Sequence, residues 1–197
     1  MESPLPNSSL SNLEKVDHRS FAYPLDGLYN YYNYPIPEFT RIDKDALPSP
    51  YHSLLAHEDD MTPTLEDFHK EKIWIRPEAR YLDGCFYFRE VILYLEKSLK
   101  PVEFGAIVIH LENCSEEARQ SILEARKPLG TLMYEFNIPH LSKPIGYFKV
   151  RSDELIARRL EIPESKTTYG RRNELLTPEG ACLAEIVEIL PGDDANS

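Results

Sequence analysis

The chain has 197 residues, with 22 basic and 33 acidic side chains and a formal net charge of −11 at pH 7. A hydrophobic share of 42% with 28% charged residues is ordinary globular usage, and a chain of this length builds a core without disulfides or a structural metal. The acidic balance excludes nonspecific nucleic-acid binding, and no apolar run approaches the ~20 residues of a bilayer span, so a cytoplasmic protein with neither nucleic-acid nor membrane partners is expected.

Residues 1–20 are polar and rich in Ser and Asn, which predicts a disordered tail. Over 21–49 the character changes, with Tyr23, Tyr29, Tyr31, Tyr32 and Tyr34 set among Pro24, Pro35, Pro37 and Pro48. Prolines at this density break regular elements, and tyrosines supply rigid apolar area, so a non-helical arm wrapping over the body is expected. A partner-binding segment is the alternative, since exposed aromatics also mark interfaces.

The body begins at Pro50. Tyr51–Ala56 reads as a short helix, and a second follows around Met61–Glu66, with Thr62 as cap and Pro63 in the first turn. Three strand-like runs come next, Lys72–Arg76, Cys85–Leu95 and Val102–Leu111, rich in β-branched and aromatic residues. Ser115 caps a helix through Arg126, with Glu116 and Glu117 at its positive end. Pro128-Leu129-Gly130 interrupts it, and a shorter helix runs on to Glu135. Strands are expected at Ile145–Val150, Thr167–Leu176 and Cys182–Leu190, then a tail over 192–197. Strands linked at hairpin length, with helices interposed, predict one α+β domain over 50–191 on a mostly antiparallel sheet.

Chemistry-bearing motifs are sparse. The dinucleotide, phosphate-loop, zinc-protease and serine-hydrolase signatures are absent. His57-Glu58-Asp59-Asp60 with His69 has no zinc spacing and reads as a solvated acidic turn; no metal is expected. Cys85, Cys114 and Cys182 lie far apart and read as free thiols.

Arg89 is more informative. The two-residue period of a strand puts it on one face with Tyr87, Val91, Leu93 and Leu95. A guanidinium among such neighbours keeps its charge and needs an anion. That anion is either a protein carboxylate (Glu90, Glu185 or Glu188) or the carboxylate of a ligand, and spacing does not choose between them. On the last strand, Glu185 shares a face with Leu183, Val187 and Ile189, and Glu188 with Cys182, Ile186 and Leu190. One of the two looks into an apolar interior, where desolvation raises a carboxyl toward acid–base range. Periodicity leaves the choice open.

Taken in order, Leu54-Leu55-Ala56-His57-Glu58-Asp59-Asp60-Met61-Thr62, Arg89-Glu90-Val91-Ile92-Leu93, Pro128-Leu129-Gly130, Tyr169-Gly170-Arg171-Arg172 and Glu188-Ile189-Leu190-Pro191 resemble the chorismate lyase family, in its branch outside the short ubiquinone-pathway enzymes. The resemblance implies a six-stranded antiparallel sheet with an internal ligand cavity beneath helical flaps. The activity it implies is a cofactor-independent chorismate pyruvate-lyase, releasing 4-hydroxybenzoate and pyruvate, with a small-molecule carboxylate as partner. By the same resemblance Arg89 grips the ring carboxylate, backbone amides near Met61 and Leu129 support it, and Glu188 faces the ring hydroxyl. Glu188, unlike Glu185, keeps the family's spacing from Gly180. One departure stands out. The short enzymes carry an arginine for the second carboxylate after the third-run glycine, whereas Gly105 here is followed by Ala106. Arg171, Arg172, Arg126 and Lys127 are the candidate substitutes, and Arg171 is preferred. The alternatives are a lyase-like enzyme or a ligand-binding protein for another aromatic or enolpyruvyl acid. The same fold also serves as an effector-sensing domain in bacterial regulators, an option that a non-helical 1–49 disfavours.

Overall fold

The computed structural model describes residues 20–191. In chain order they form α1 (Leu25–Tyr32), β1 (Thr40–Ile42), α2 (Tyr51–Leu55), α3 (Met61–His69), β2 (Ile73–Asp83), β3 (Phe86–Leu95), β4 (Pro101–His110), α4 (Glu116–Glu124), α5 (Leu129–Glu135), β5 (Leu141–Arg151), α6 (Glu154–Leu160), β6 (Thr167–Leu176) and β7 (Cys182–Leu190). The strands make one seven-stranded sheet in the order β1-β5-β6-β7-β4-β3-β2, with every pairing antiparallel. Two meanders, β2-β3-β4 and β5-β6-β7, thus meet at β4 and β7. The chain is a single α+β domain, as its element order predicts, with one strand more than the resemblance implies. The extra strand is β1, a three-residue edge supplied by the Tyr/Pro-rich arm.

That arm is not devoid of helix, contrary to expectation. Its prolines flank α1 and none lies inside it: Pro24 occupies the N-cap, and Pro35 follows the left-handed Asn33. α1 buries Leu25 and Tyr29 against the sheet, so tertiary contact rather than propensity holds its eight residues. α6 also goes unforeseen. Asp153 caps it by accepting from the Ile156 amide, and Leu155, Ile156 and Leu160 form its buried stripe. β2 runs well beyond Arg76, because Pro77 falls at a bulge in an edge strand, where a missing donor is tolerated. Ser115 caps α4 as expected. α3, by contrast, starts one residue before Thr62, with Asp60 at the N-cap position. The expected tails, apart from Ser20, lie outside the described residues.

Both sheet faces are covered. On the far face α1 and α6 pack over Phe104, Ala106, Val187 and Ile189. On the near face α4 and α5 cover one end of the sheet, around Ile107, Ile109 and Leu183. There α2 and α3 cover the other end, around Ile75, Leu93 and Leu190. The two near-face cores leave a seam between them, and a cavity opens in that seam.

The far face is pinned by a buried ionic knot. Arg159 of α6 donates from Nε to Glu90 at 2.5 Å and from Nη1 to Glu78 at 2.7 Å, while the Tyr32 hydroxyl donates to Glu90 at 2.6 Å. Glu90 is fully buried, so removing its cation strands a charge in low dielectric. Arg159→Ala is expected to lower urea-unfolding stability by about 3 kcal/mol or more. A loss below about 1 kcal/mol, the scale of a surface pair, would contradict the knot's role.

Candidate ligand-binding site

Strand alternation sends one residue in two from β3, β4, β7 and β6 toward the seam. The floor of the resulting cavity therefore carries Arg89 and Val91, Glu103 and Gly105, Ile186 and Glu188, and Arg171 and Asn173. Its roof is the start of α3 (Asp60, Met61, Thr62) and the start of α5 (Pro128, Leu129, Gly130). The empty space between floor and roof, counted together with the part open to solvent, is about 570 Å³. Arg89, Glu188, Met61, Leu129 and Arg171, distant in sequence, thus surround one volume.

Arg89 is only 3% exposed, and among the described residues its Nε and Nη1 have no hydrogen-bond partner. Burial lowers its pKa to about 10, which still leaves it charged at neutral pH. The three acids that the sequence offered as partners are engaged elsewhere. Glu90 turns to the far face and pairs with Arg159, and Glu185 pairs with Arg172 at 3.1 Å and with His110 at 3.5 Å. Glu188 pairs with Arg171. A buried guanidinium facing a cavity without a protein anion is a ready receptor for a ligand carboxylate.

Of the two carboxylates on β7, Glu188 is the one facing the cavity. Arg171 Nε donates to it, and the rest of that guanidinium reaches the end of α2 and the loop between α2 and α3. Nη1 donates to the carbonyls of Leu55 (3.2 Å) and His57 (3.0 Å), and Nη2 to that of Asp59 (3.5 Å). Arg171 therefore lines the cavity, yet its donors are committed to Glu188 and the roof loop. Arg172 points to the opposite face, where it donates to Ser20 and Glu185. Arg126 and Lys127 are exposed and pair with Glu124 and Glu135. Among the described residues none of the four offers a free cation for a second ligand carboxylate.

Two features were not singled out in the sequence. Glu103 is 5% exposed, lines the cavity, and has an Oε2 without a partner among the described residues. Burial pushes its carboxyl well above the usual carboxylate range; the Glu188 charge adds to the rise and Arg171 opposes it. The signal was present, since Glu103 is the lone acid in an otherwise apolar run. The second is a clasp on the roof. His140 directs Nε2 at Asp60 (3.0 Å) and Nδ1 at the Ile138 carbonyl (3.0 Å), so both ring nitrogens face acceptors, as in an imidazolium. Gly130 makes room for the clasp, because a Cβ there would lie 3.1 Å from the Asp60 carboxylate. Engagement with His140 also explains why the Asp60 side chain leaves the α3 amides uncapped.

The His57–Asp60 turn does not gather metal ligands. His57 bonds the Leu54 carbonyl, Asp60 holds His140, and His69 stacks edge-on to Phe68. One other trio among the described residues, His110, Cys182 and Glu185, brings its ligand atoms within 4.8 Å. The Arg172 guanidinium on the same Glu185 opposes a dication there.

No protein-family model and no curated protein matches the chain. Solved structures do match in fold. PhnF from Mycobacterium smegmatis aligns over 70% of this chain and 65% of its own length, with a TM-score of 0.53 and 8% identity. The separate effector domain of PhnF aligns over 68% of this chain and 90% of its own, with the same TM-score and identity. The ligand-binding domain of a GntR-family regulator from Bordetella bronchiseptica matches at a TM-score of 0.45 and 12% identity, over 61% of this chain and 86% of its own. This chain shares the fold of the PhnF effector domain.

Two outcomes follow for this site. Arg89→Met replaces a buried unpaired charge by an apolar side chain of similar length, so urea-unfolding stability should equal or exceed the parent's. A loss of about 2 kcal/mol or more would mean that Arg89 has a stabilising protein partner. The His140 clasp adds a pH dependence. The Asp60 carboxylate raises the His140 pKa, burial opposes it, and the Ile138 carbonyl adds to the rise. A raised folded pKa gives stabilisation that is complete below the unfolded value of ~6.5 and is lost as pH rises through the folded value. Opening of the roof over 57–62, read by amide hydrogen exchange and corrected for intrinsic rates, should therefore increase on the alkaline side. In His140→Gln that step should vanish; its persistence would refute the clasp.

Proposed function

We propose that this domain binds a small carboxylic acid in the cavity beneath α3 and α5, with Arg89 as the anchor for the carboxylate. The observation that carries this reading is the buried guanidinium whose Nε and Nη1 face no protein acceptor among the described residues. The first-turn amides of α3 and α5, at Met61 and Leu129, lie across the same space and have no intrahelical acceptors to satisfy. Val91, Ile107 and Ile186 give the floor an apolar body suited to a flat ring, in line with the aromatic acids that the sequence resemblance implies. A fold shared with an effector domain supports binding as the primary role.

Catalysis is the second reading, favoured by the carboxyl groups of Glu188 and Glu103 in the same cavity as Arg89. A chorismate pyruvate-lyase would use one of them at the ring hydroxyl position while Arg89 holds the ring carboxylate, without a cofactor. Calorimetric titration with benzoate and 4-hydroxybenzoate tests the binding reading. Saturable binding to one site is expected, weakened at least about 30-fold in Arg89→Met, the scale of losing a buried charged partner. Equal affinity in the variant would overturn the anchor. Incubation with chorismate separates the two readings: pyruvate and 4-hydroxybenzoate released in equal amounts would establish the lyase, and no release leaves the binding role.

A further inference from the structure

Two ionisable groups in the cavity, Arg89 and Glu103, have polar atoms without a partner among the described residues. Arg171 and Glu188 neutralise each other within the floor. At the rim His140 sits on Asp60. Arg89 remains, and so does Glu103. Register places Gly105 beside Glu188 on β7 and Val91 on β3, and Glu103 lies one step further along β4. The Glu103 side chain does not stay in its own row. A Cβ on Gly105 would lie 3.1 Å from Glu103 Oε1, so the carboxyl extends back over the bare glycine backbone toward the centre of the floor. There it lies near Glu188, whose charge disfavours a second anion, and among the hydrophobic side chains Leu93 and Val91. Two buried carboxyl groups sharing one committed guanidinium cannot both ionise cheaply, so one holds a proton. Arg171 bonds Glu188, which leaves the proton on Glu103 and its Oε2 free to present it.

From this arrangement we infer that the cavity selects monoanionic carboxylic acids carrying a neutral hydrogen-bond acceptor at the end opposite the carboxylate, with Arg89 taking the carboxylate and the Glu103 carboxyl donating to that far group. The inference rests on the carboxylate-binding reading and adds to it a specificity residue and a charge rule. One ligand negative charge neutralises Arg89. A second, placed toward Gly105, would meet Glu188 and a carboxyl oxygen, with Arg171 already engaged. A dianion such as chorismate therefore needs Arg171 to leave Glu188 and the three backbone carbonyls it holds.

Three para-related probes separate the terms by calorimetry at neutral pH: benzoate, 4-hydroxybenzoate and the dianion terephthalate. The parent protein is expected to bind 4-hydroxybenzoate about tenfold more tightly than benzoate, one good hydrogen bond's worth, and terephthalate at least about tenfold more weakly than 4-hydroxybenzoate. Glu103→Leu should hold benzoate within about threefold of the parent and lose the preference for the hydroxyl. Infrared difference spectra serve if the leucine variant does not fold. The carbonyl stretch of a protonated carboxylic acid should be present in the parent, absent in Glu103→Gln, and shifted by 4-hydroxybenzoate but not by benzoate. Terephthalate binding as tightly as 4-hydroxybenzoate, or a hydroxyl preference surviving in Glu103→Leu, would overturn the inference while leaving the carboxylate site intact. An unmoved or missing carbonyl band would do the same. Failure of all three probes to bind would instead overturn the carboxylate site, and this inference with it.

Discussion

The guanidinium of Arg171 holds the two halves of the site together. Fully buried, it bonds Glu188 across β6 and β7, the carbonyl of Leu55 at the end of α2, and two carbonyls of the loop leading into α3. The floor residues come from the sheet and the roof residues from helices that belong to two separate near-face cores. Without this link the start of α3 would be tied to the floor mainly by apolar packing at its own end. Backbone carbonyls in a turn need donors once they are buried, and one planar cation supplies several at once. The His140–Asp60 clasp acts from outside on the same segment and joins it to the approach of β5. The roof is therefore held by one permanent charge beneath and one titratable charge at its edge.

Arg89 is the counterpart of Arg171 and differs from it in every respect that matters. Both are buried arginines on the same face of the sheet, but among the described residues Arg171 has its donors satisfied while Arg89 Nε and Nη1 have no partner. A protein selected for stability alone would not leave a charged group unpaired in its interior. A ligand anion on Arg89 would offset that cost, and binding would then stabilise the fold.

Much of this was legible in the sequence, and the misses have physical causes. Strand period put Arg89 on an apolar face and narrowed the inward acid of β7 to Glu185 or Glu188, because alternation is dictated by backbone geometry whatever the partners; only the family resemblance preferred Glu188. Strand period could not say that Arg171 would be consumed by Glu188, since pairing across β6 and β7 depends on register, which a single strand does not encode. The α1 helix was hidden by flanking prolines whose positions matter more than their number, and α6 by its seven-residue length. Glu103 escaped notice because a lone acid in an apolar run reads as a strand edge rather than as a group folded over a neighbouring glycine. The Asp60–His140 pair joins residues 80 positions apart and left no local mark.

The central claim is that the unpaired guanidinium of Arg89, and not Arg171, receives the ligand's carboxylate while the floor pair stays closed. A crystal structure with 4-bromobenzoate, located by the anomalous signal of its bromine, tests this most directly. The account predicts the carboxylate on Nε and a terminal nitrogen of Arg89, the bromine over Gly105 toward Glu103, and an intact Arg171–Glu188 pair. A carboxylate bound to Arg171 with Glu188 displaced, or bromine found only outside the cavity, would contradict it.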